Sequence, residues 1–205
     1  MRKVSIILLL ALLSLSAWAY SYKTPDLRML QVKGNVKYIM FTKDCPASGF
    51  KSAYCYFDRN GWIDVNKTFY SKTTVKRNGS WQLVAIEREY EAFVDGFDMP
   101  LGYYSEWSYN SSGFVTKIAN SEWEWANTDI YIYDSNDVLI EKRTEWDSNG
   151  DSGYDIYTYS SYKYDSRGNW ISRYVTVRSK SYDIEGDFST TSESYVEKRV
   201  IAYYD

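Results

Sequence analysis

One short turn motif recurs along this chain: an aromatic residue or Val, then Asp, Asn or Lys, two polar residues and, in most copies, Gly. The copies are Phe57–Gly61, Val75–Gly79, Tyr109–Gly113, Tyr133–Asp137, Trp146–Gly150 and Tyr164–Gly168. Each copy ends a run of β-forming residues and nearly always starts another. Asn, Asp and Gly tolerate the positive φ angles of tight hairpin turns, so the motif predicts a chain of β-hairpins.

The aspartates and glycines of the motif are predicted to form turns rather than to carry out catalysis. An Asp at the second motif position accepts hydrogen bonds from backbone N–H groups two residues further on. The predicted turn-forming residues are Asp58, Gly61, Gly79, Gly113, Asp134, Asp147, Gly150, Asp165 and Gly168. The copies lie at unequal intervals, which indicates hairpins of unequal length.

Between the turns, β-branched and aromatic residues predict strands. The predicted strands are 35–42, 51–58, 62–71, 80–92, 103–110, 114–125, 128–134, 138–146, 154–165, 169–182 and 188–204. Thr24 as N-cap and Pro25 in the first turn predict one short N-terminal helix. Residues 96–102 are predicted as a non-hairpin loop, and all three prolines are expected outside strands. The predicted fold is all-β: an antiparallel meander of about eleven hairpin-linked strands, forming a curved sheet or an open, barrel-like one.

The first nineteen residues have the pattern of a signal peptide. Arg2 and Lys3 precede an apolar run over residues 4–15, and Ala17-Trp18-Ala19 matches the small-x-small cleavage pattern. The apolar run is shorter than the roughly 20 residues that a membrane-spanning helix needs. We therefore expect residues 1–19 to be removed after Ala19. Residues 20–205 would then be one secreted or periplasmic β-domain with no membrane span.

The chain has two cysteines, Cys45 and Cys55. Since exported proteins occupy compartments where disulfides persist, these cysteines are predicted to form a disulfide that stabilises the domain by about 2–3 kcal/mol. The alternative, a reactive thiol or metal pair, lacks the C-x-x-C spacing.

The absence of His excludes Ser-His-Asp and Cys-His catalysis. Carboxylates remain: Glu87, Glu89 and Glu91 share one predicted strand, and Glu122 and Glu124 share another, which would suit a glycoside hydrolase or solvated cross-strand ion pairs. Residues 147–153 have side-chain oxygens at alternate positions but lack the Gly and Glu of a calcium loop. No cofactor or metal is expected. The formal net charge is −3 with no basic patch, which argues against a nucleic-acid partner.

Five tryptophans are the candidate ligand-binding residues. They are Trp107, Trp123, Trp125, Trp146 and Trp170. Trp123 and Trp125 are predicted to point to the same side of one strand. Flat aromatic rings can cover the apolar faces of sugar rings or peptide segments. The alternative is that these rings form the core of an aromatic-rich sheet.

Residues 162–171, YKYDSRGNWI, resemble the YD (RHS-type) repeat Y-x-Y-D-x-x-G-x-L, and residues 57–63 and 131–139 are weaker copies. Leu30 followed by KGNVK at 33–37, the GNWI element and the ending RVIAYY at 199–204 are similar to small exported YD-repeat-like proteins of Bacteroidetes. The resemblance implies a curved antiparallel meander exported by a Gram-negative bacterium. Because these relatives are largely of unknown function, it implies no activity and no catalytic residue.

These features predict a non-enzymatic, exported β-sheet module for binding or scaffolding. Its partner is unknown, and the candidates are a saccharide, a peptidoglycan fragment or a cell-envelope protein. Two alternatives stay open. One is a carboxylate-based carbohydrate-active hydrolase, and the other is a small outer-membrane β-barrel, although Lys117, Lys142 and Glu197 interrupt the positions that would face lipid.

Overall fold

The computed structural model describes residues 22–42, 52–94 and 97–205. The strands in these ranges are β1 Val36–Phe41, β2 Tyr54–Tyr56, β3 Thr73–Arg77, β4 Leu83–Val94, β5 Phe97–Tyr109, β6 Val115–Glu122, β7 Trp125–Tyr133, β8 Leu139–Ser148, β9 Asp151–Tyr164, β10 Trp170–Tyr182 and β11 Phe188–Tyr203. They form one antiparallel sheet in the order β2-β1-β11-β10-β9-β8-β7-β6-β5-β4-β3. From β3 to β11 each strand pairs with the next one along the chain, so the predicted all-β meander is confirmed.

The sheet does not close. β1 pairs with the last strand, β11, and β2 pairs with β1, so β2 and β3 are the two edges among the described strands. The chain between β2 and β3 lies across this gap. Asp26 connects the two sides of the gap. Its carboxylate accepts hydrogen bonds from Arg77 of β3 at 2.6 and 2.7 Å, and from the Ile63 N–H, in the chain that follows β2, at 2.8 Å.

The predicted N-terminal helix is confirmed as α1, Pro25–Met29. The Thr24 hydroxyl caps it by accepting the Leu27 N–H at 3.2 Å, and it donates to the Gly61 carbonyl at 2.6 Å. Pro25 occupies the first turn, where its missing N–H has no helical partner to lose. None of the helices in the described part of the chain has the length and apolar character that a membrane crossing requires.

The predicted strand 62–71 is wrong. A second short helix, α2 Val65–Thr68, occupies this segment. It begins where the Asp64 side chain accepts the Lys67 N–H at 3.2 Å, an N-cap that starts a helical turn. The strand in this region is instead β3, Thr73–Arg77, which begins after the predicted strand 62–71 and ends inside the predicted turn motif Val75–Gly79.

The predicted loop over residues 96–102 is also wrong. β5 begins at Phe97, and Pro100 lies inside it opposite Glu91 of β4. Pairing of β5 with β6 begins only at Tyr104, so Pro100 has a strand neighbour on one side. The prediction that all three prolines lie outside strands is therefore wrong for Pro100, because a residue without an N–H is tolerated on such an edge.

Six turns share one hydrogen-bonding pattern. They start at Asp58, Asn78, Asn110, Asp134, Asp165 and Asp183. In each, the N–H of the first residue donates to the carbonyl four residues on, and its own carbonyl accepts from the residue three on. The side chain adds further bonds: Asp165 Oδ1 accepts the N–H groups of Arg167 and Asn169, both at 2.9 Å.

Two copies of the sequence motif differ from the prediction. In the copy at Val75–Gly79, the turn starts at Asn78, so the positive φ of 61° falls on Trp81 rather than on Gly79. In the copy at Trp146–Gly150, Asp147 lies in β8 opposite Ser152. The turn itself is the two-residue Asn149-Gly150, with φ angles of 53° and 95°. Gly79 therefore lies in a turn as predicted, although not at the position with positive φ, whereas Asp147 lies in a strand and not in the turn.

The two ends of the sheet differ. Because the strands alternate in direction, the turns that start at Asn78, Asn110, Asp134 and Asp165 lie at one end, which we call the α1 end. There Arg28 of α1 donates to the Ser112 carbonyl at 2.7 Å, and the Lys33 N–H donates to Asn169 Oδ1 at 2.7 Å. Trp123-Glu124, Asn149-Gly150 and Asp183–Asp187 turn the chain at the opposite end, which we call the far end.

The hydrophobic core lies between α1 and the inner face of the sheet. Leu27, Val32, Ile39 and Ile86 are fully buried there, in one cluster with Trp107. A smaller cluster on β8 to β10 contains Leu139, Tyr159, Val175 and Val177. Full burial of an aliphatic side chain contributes about 1.5–3 kcal/mol, so the larger cluster concentrates hydrophobic stabilisation at the α1 end.

Two predictions concern residues outside the described ranges. The proposed signal peptide, residues 1–19, is one of them. Cys45 is the other, so its disulfide with Cys55, which is buried on β2, stays a prediction.

Candidate functional site

The inner face of the sheet encloses a cavity of about 490 Å³, lined by α1, β1 and strands β5 to β11. It begins beneath Met29–Gln31 at the end of α1 and extends toward the far end as far as Trp125 and Asn127. Since strands from both halves of the meander face this one space, the sheet curves around it. Among the sequence-predicted tryptophans, Trp107, Trp125 and Trp170 line the cavity.

Trp123 is not part of this site. β6 ends at Glu122, and Trp123-Glu124 forms the turn to β7, with Glu124 at a φ of 54°. Trp123 is 39% exposed on the turn, whereas Trp125 begins β7 and faces the cavity. The prediction that both tryptophans point to the same side of one strand is wrong, because a turn separates them.

Trp146 lies on β8, next to the cavity wall. Its cross-strand neighbours are Asn127 of β7 and Gly153 of β9. A Cβ atom on residue 153 would lie 2.6 Å from Trp146 Cζ2 and 2.5 Å from the Lys180 carbonyl oxygen. Glycine at position 153 therefore lets the indole ring lie directly over the backbone of β9.

A polar cluster on β7 and β8 faces the same cavity. The Thr144 hydroxyl donates to Asp129 Oδ1 at 2.6 Å, and Lys142 Nζ lies 3.7 Å from the same oxygen. Lys142 Nζ also lies 4.1 Å from the centre of the Tyr157 ring on β9. Asn127 Oδ1 accepts a hydrogen bond from Asn120 at 2.8 Å, which leaves the amide nitrogen of Asn127 as a donor group.

A buried ion pair forms the opposite wall. Arg173 Nε of β10 donates to Glu197 Oε2 of β11 at 2.5 Å, and the guanidinium lies 3.8 Å from the centre of the Tyr159 ring. Burial works against the charge of Arg173, but the Glu197 carboxylate more than offsets it and raises the pKa of Arg173. Arg173 thus keeps its charge in the buried wall, next to the Glu197 side chain.

Arg199 of β11 joins the sheet to the end of α1. Its guanidinium donates to the carbonyls of Trp170 at 2.6 Å, Leu30 at 2.7 Å and Gln31 at 2.8 Å. Burial, and secondly the neighbouring Arg173, lower the pKa of Arg199 to about 9, so it still carries its proton at neutral pH. All three nitrogens are engaged by backbone oxygens, and the role of Arg199 is structural.

The tyrosines around the cavity are proton donors at physiological pH. Burial raises the pKa of Tyr131, Tyr133 and Tyr159 well above the ordinary value of 10.0. The Tyr133 hydroxyl donates to the Val115 carbonyl at 2.8 Å. These phenols stay neutral, so the charged groups of the wall are limited to the Asp129–Lys142 and Arg173–Glu197 pairs and Arg199.

The carboxylates that suggested a hydrolase do not converge. Glu87 pairs with Lys76 at 2.5 Å on the exposed side of the β3–β4 hairpin. Glu122 faces inward instead, where it accepts a hydrogen bond from Tyr90 and lies 3.8 Å from Arg88. Glu124 lies in the turn after β6. Within the described ranges, no group of three or more His, Cys, Asp or Glu side chains is placed to hold a metal ion.

The sequence pattern missed the polar half of the site. Asn127 and Asp129 follow the predicted Trp125 at alternate positions of β7, and alternation would have identified them once the start of β7 was known. Lys142 and Thr144 come from β8, and their proximity to Asp129 depends on the β7–β8 register. Arg173, Glu197 and Arg199 gave no signal in the sequence, because buried charges on strands resemble exposed ones.

Comparison with known proteins found no matching family model, no matching curated protein and no matching solved structure. The resemblance to YD repeats therefore stays a prediction from the sequence.

Proposed function

We propose that this protein is an exported binding module that holds its ligand in the cavity on the inner face of the sheet. The observation that carries the proposal is the combination of half-buried Trp125 with Asn127, Asp129 and Lys142 in one open, concave site. Sites for small ligands are typically clefts of about 300–1,000 Å³ in which apolar side chains surround a few placed polar groups. The volume of this cavity lies in that range, and its wall combines aromatic and aliphatic side chains with a polar cluster. Export rests on the signal-peptide pattern of residues 1–19.

Binding is favoured over hydrolysis by the partners of the cavity carboxylates. Glycoside hydrolysis needs two carboxyl groups that flank the glycosidic bond. Asp129 Oδ1 accepts the Thr144 hydroxyl at 2.6 Å and lies 3.7 Å from Lys142, and Glu197 Oε2 accepts from Arg173 at 2.5 Å. Both carboxylates are thus held by side chains of the wall, which suits a binding site with fixed hydrogen-bond acceptors.

A ligand screen with two matched tryptophan variants tests the proposal. Soluble saccharides, peptidoglycan fragments and peptides are titrated against the mature protein, and tryptophan fluorescence and the melting temperature are recorded. We expect at least one ligand class to bind the natural protein and Trp123→Ala, and to bind Trp125→Ala at least about tenfold more weakly, since about 1.4 kcal/mol corresponds to a factor of ten. Loss of binding in Trp123→Ala with retention in Trp125→Ala would move the site to the turn and contradict the proposal.

A further inference from the structure

We infer that the ligand of the cavity is a neutral oligosaccharide, bound with one sugar ring against Trp125 and with adjacent hydroxyl groups of a neighbouring ring between Lys142 and Asp129. This inference rests on the proposed binding function and names the chemistry of its ligand. Four features of the site support it: the spacing of the polar groups, the aromatic surface of Trp125, the charge balance of the wall and the continuity of the sheet.

The spacing of Lys142 and Asp129 suits a pair of hydroxyl groups. At 3.7 Å, Lys142 Nζ and Asp129 Oδ1 are farther apart than the 2.7–3.2 Å of a direct N–H···O hydrogen bond. The ammonium has three N–H donors, and its other near neighbour is the face of Tyr157. A hydroxyl group both donates and accepts. One hydroxyl can therefore accept from Lys142 while its neighbour donates to Asp129.

Trp125 supplies the apolar surface that a sugar ring needs. It lies two residues from Asn127 and four from Asp129 on the same face of β7, at about 3.4 Å per residue. A ring in contact with the indole would thus have hydroxyl groups near the Asn127 amide, about 7 Å along the strand. The next ring of an oligosaccharide would reach the Asp129 carboxylate, about 14 Å along it. The C–H face of a pyranose covers an aromatic ring, and the rim of the sugar carries the polar groups.

The charge balance of the wall favours a neutral ligand. Lys142 faces Asp129, and Arg173 pairs with Glu197. Arg199 is engaged by three backbone carbonyls. An anionic ligand on Lys142 would have to approach Asp129 as well, so it meets repulsion that a hydroxyl pair does not.

The continuity of the sheet disfavours an extended peptide. The strands that carry the site, β7, β8 and β9, each have a strand partner on both sides. Their backbone N–H and C=O groups are used in the ladders, and a peptide could not add to the sheet at this position. Recognition in the cavity therefore depends on side chains, which suits a ligand rich in hydroxyl groups.

The test compares ligand classes in the mature protein by titration calorimetry. The probes are neutral gluco-, xylo-, manno- and galacto-oligosaccharides, oligouronates and unstructured peptides. We expect a neutral oligosaccharide to bind, and Lys142→Met and Asp129→Asn each to weaken that binding at least about tenfold, a loss of about 1.4 kcal/mol. Lys117→Met is the matched control, because Lys117 is exposed on β6, next to inward-facing Ile118. We expect this variant to bind the oligosaccharide with an affinity within about twofold of that of the natural protein.

The outcomes separate this inference from the proposed function. Binding of oligouronates or peptides without neutral saccharides, lost in Trp125→Ala, overturns the saccharide inference and leaves the binding module intact. Saccharide binding that Lys142→Met does not weaken also overturns the inferred geometry. If no probe binds a protein that melts cooperatively, both the inference and the proposed function fail.

Discussion

The inner face of one sheet has different surroundings at its two ends. At the α1 end, Leu27 and Val32 fill the curve of the sheet, and Ile39 and Ile86 are fully buried beneath them. Toward the far end, the same alternating positions carry Trp125, Asn127 and Lys142, which line an open cavity. Strand periodicity determines which side chains face inward. Whether they become core or binding surface depends on what covers them.

The α1 end also contains the polar contacts that are hardest to replace. Asp26, Asn169 and Arg199 are almost fully buried, and each connects the N-terminal segment to a different part of the sheet. Toward the far end, the buried polar residues Asn120 and Thr144 instead connect neighbouring strands of the sheet to each other. Substitutions at the α1 end should therefore reduce stability, and substitutions toward the far end should reduce ligand binding.

The largest effect is expected at Asp26. Replacing Asp26 by Ala leaves the Arg77 guanidinium and the Ile63 N–H without their buried acceptor, which should lower the free energy of unfolding by about 3–5 kcal/mol. Lys76→Ala is the control, because it breaks the exposed Lys76–Glu87 pair and should cost less than about 1 kcal/mol. Urea unfolding of both variants measures the difference. Equal losses of unfolding free energy in the two variants would show that the contacts of Asp26 do not hold β3 to the chain that follows β2.

A smaller effect is expected at Asn169. Its side chain accepts the Lys33 N–H at 2.7 Å and donates to the Lys33 carbonyl at 3.0 Å. Asn169→Ala removes the hydrogen-bond partner of both part-buried backbone groups, which should lower the free energy of unfolding by about 2–3 kcal/mol. Asn127→Ala, the same change beside the cavity, removes one acceptor, the Oδ1 that takes the Asn120 amide at 2.8 Å, so it should cost about 1 kcal/mol, less than Asn169→Ala. Thermal unfolding of the pair tests the contrast. A larger loss at Asn127 would reverse the assignment of core and binding surface.

The smallest effect is a loss of stability in acid. Burial raises the pKa of Asp165, but hydrogen bonds from Tyr203, Asn169 and Arg167 outweigh that effect and lower this pKa below its ordinary value of 3.8. The carboxylate therefore stabilises the fold fully above that value, and this stabilisation is lost as the pH falls through the lower pKa of the folded state. The difference in unfolding free energy between the natural protein and Asp165→Asn should shrink between pH 7 and pH 3.

The turn at Asp183 provides the control for the acid effect. Asp183 accepts the N–H groups of Glu185 and Asp187 at 3.0 and 2.9 Å, the same turn pattern at the far end without a tyrosine donor. Asp183→Asn should therefore change stability less at pH 7 than Asp165→Asn does. A difference for Asp165→Asn that stays constant with pH would contradict the role of its charge.

The meander was predictable because its turns carry their own signals. Asp58, Asn110 and Asp165 accept local backbone N–H groups wherever they occur, and this chemistry does not depend on the rest of the fold. The predicted elements are wrong where the local sequence pattern is weak or fits both a helix and a strand. Glu124 adopts a positive φ without the Asn or Gly that usually marks one, and Asp64 caps a helix in a segment with strand composition.

The candidate site was predictable only in part. Trp107, Trp125 and Trp170 were identified by residue type, and the cavity brings them together. Asn127, Asp129 and Lys142 were not identified, because their meeting depends on which residues of β7 and β8 lie opposite each other. Register is a property of the whole sheet, and a shift of one residue would have sent these side chains to the other face.

The unequal spacing of the turn motif has a consequence for how this protein can change. Between Asn78 and Asn110 the chain makes β4 and β5, of 12 and 13 residues, whereas between Asn110 and Asp134 it makes β6 and β7, of 8 and 9 residues. A strictly periodic repeat would give strands of equal length, so the irregular intervals make the far-end rim of the sheet uneven, including the cavity wall formed by β7, β8 and β9. Insertions of two residues in each strand of a far-end hairpin would raise that wall and preserve every inward-facing position. The depth of the cavity can thus vary in length steps while the α1 end stays unchanged.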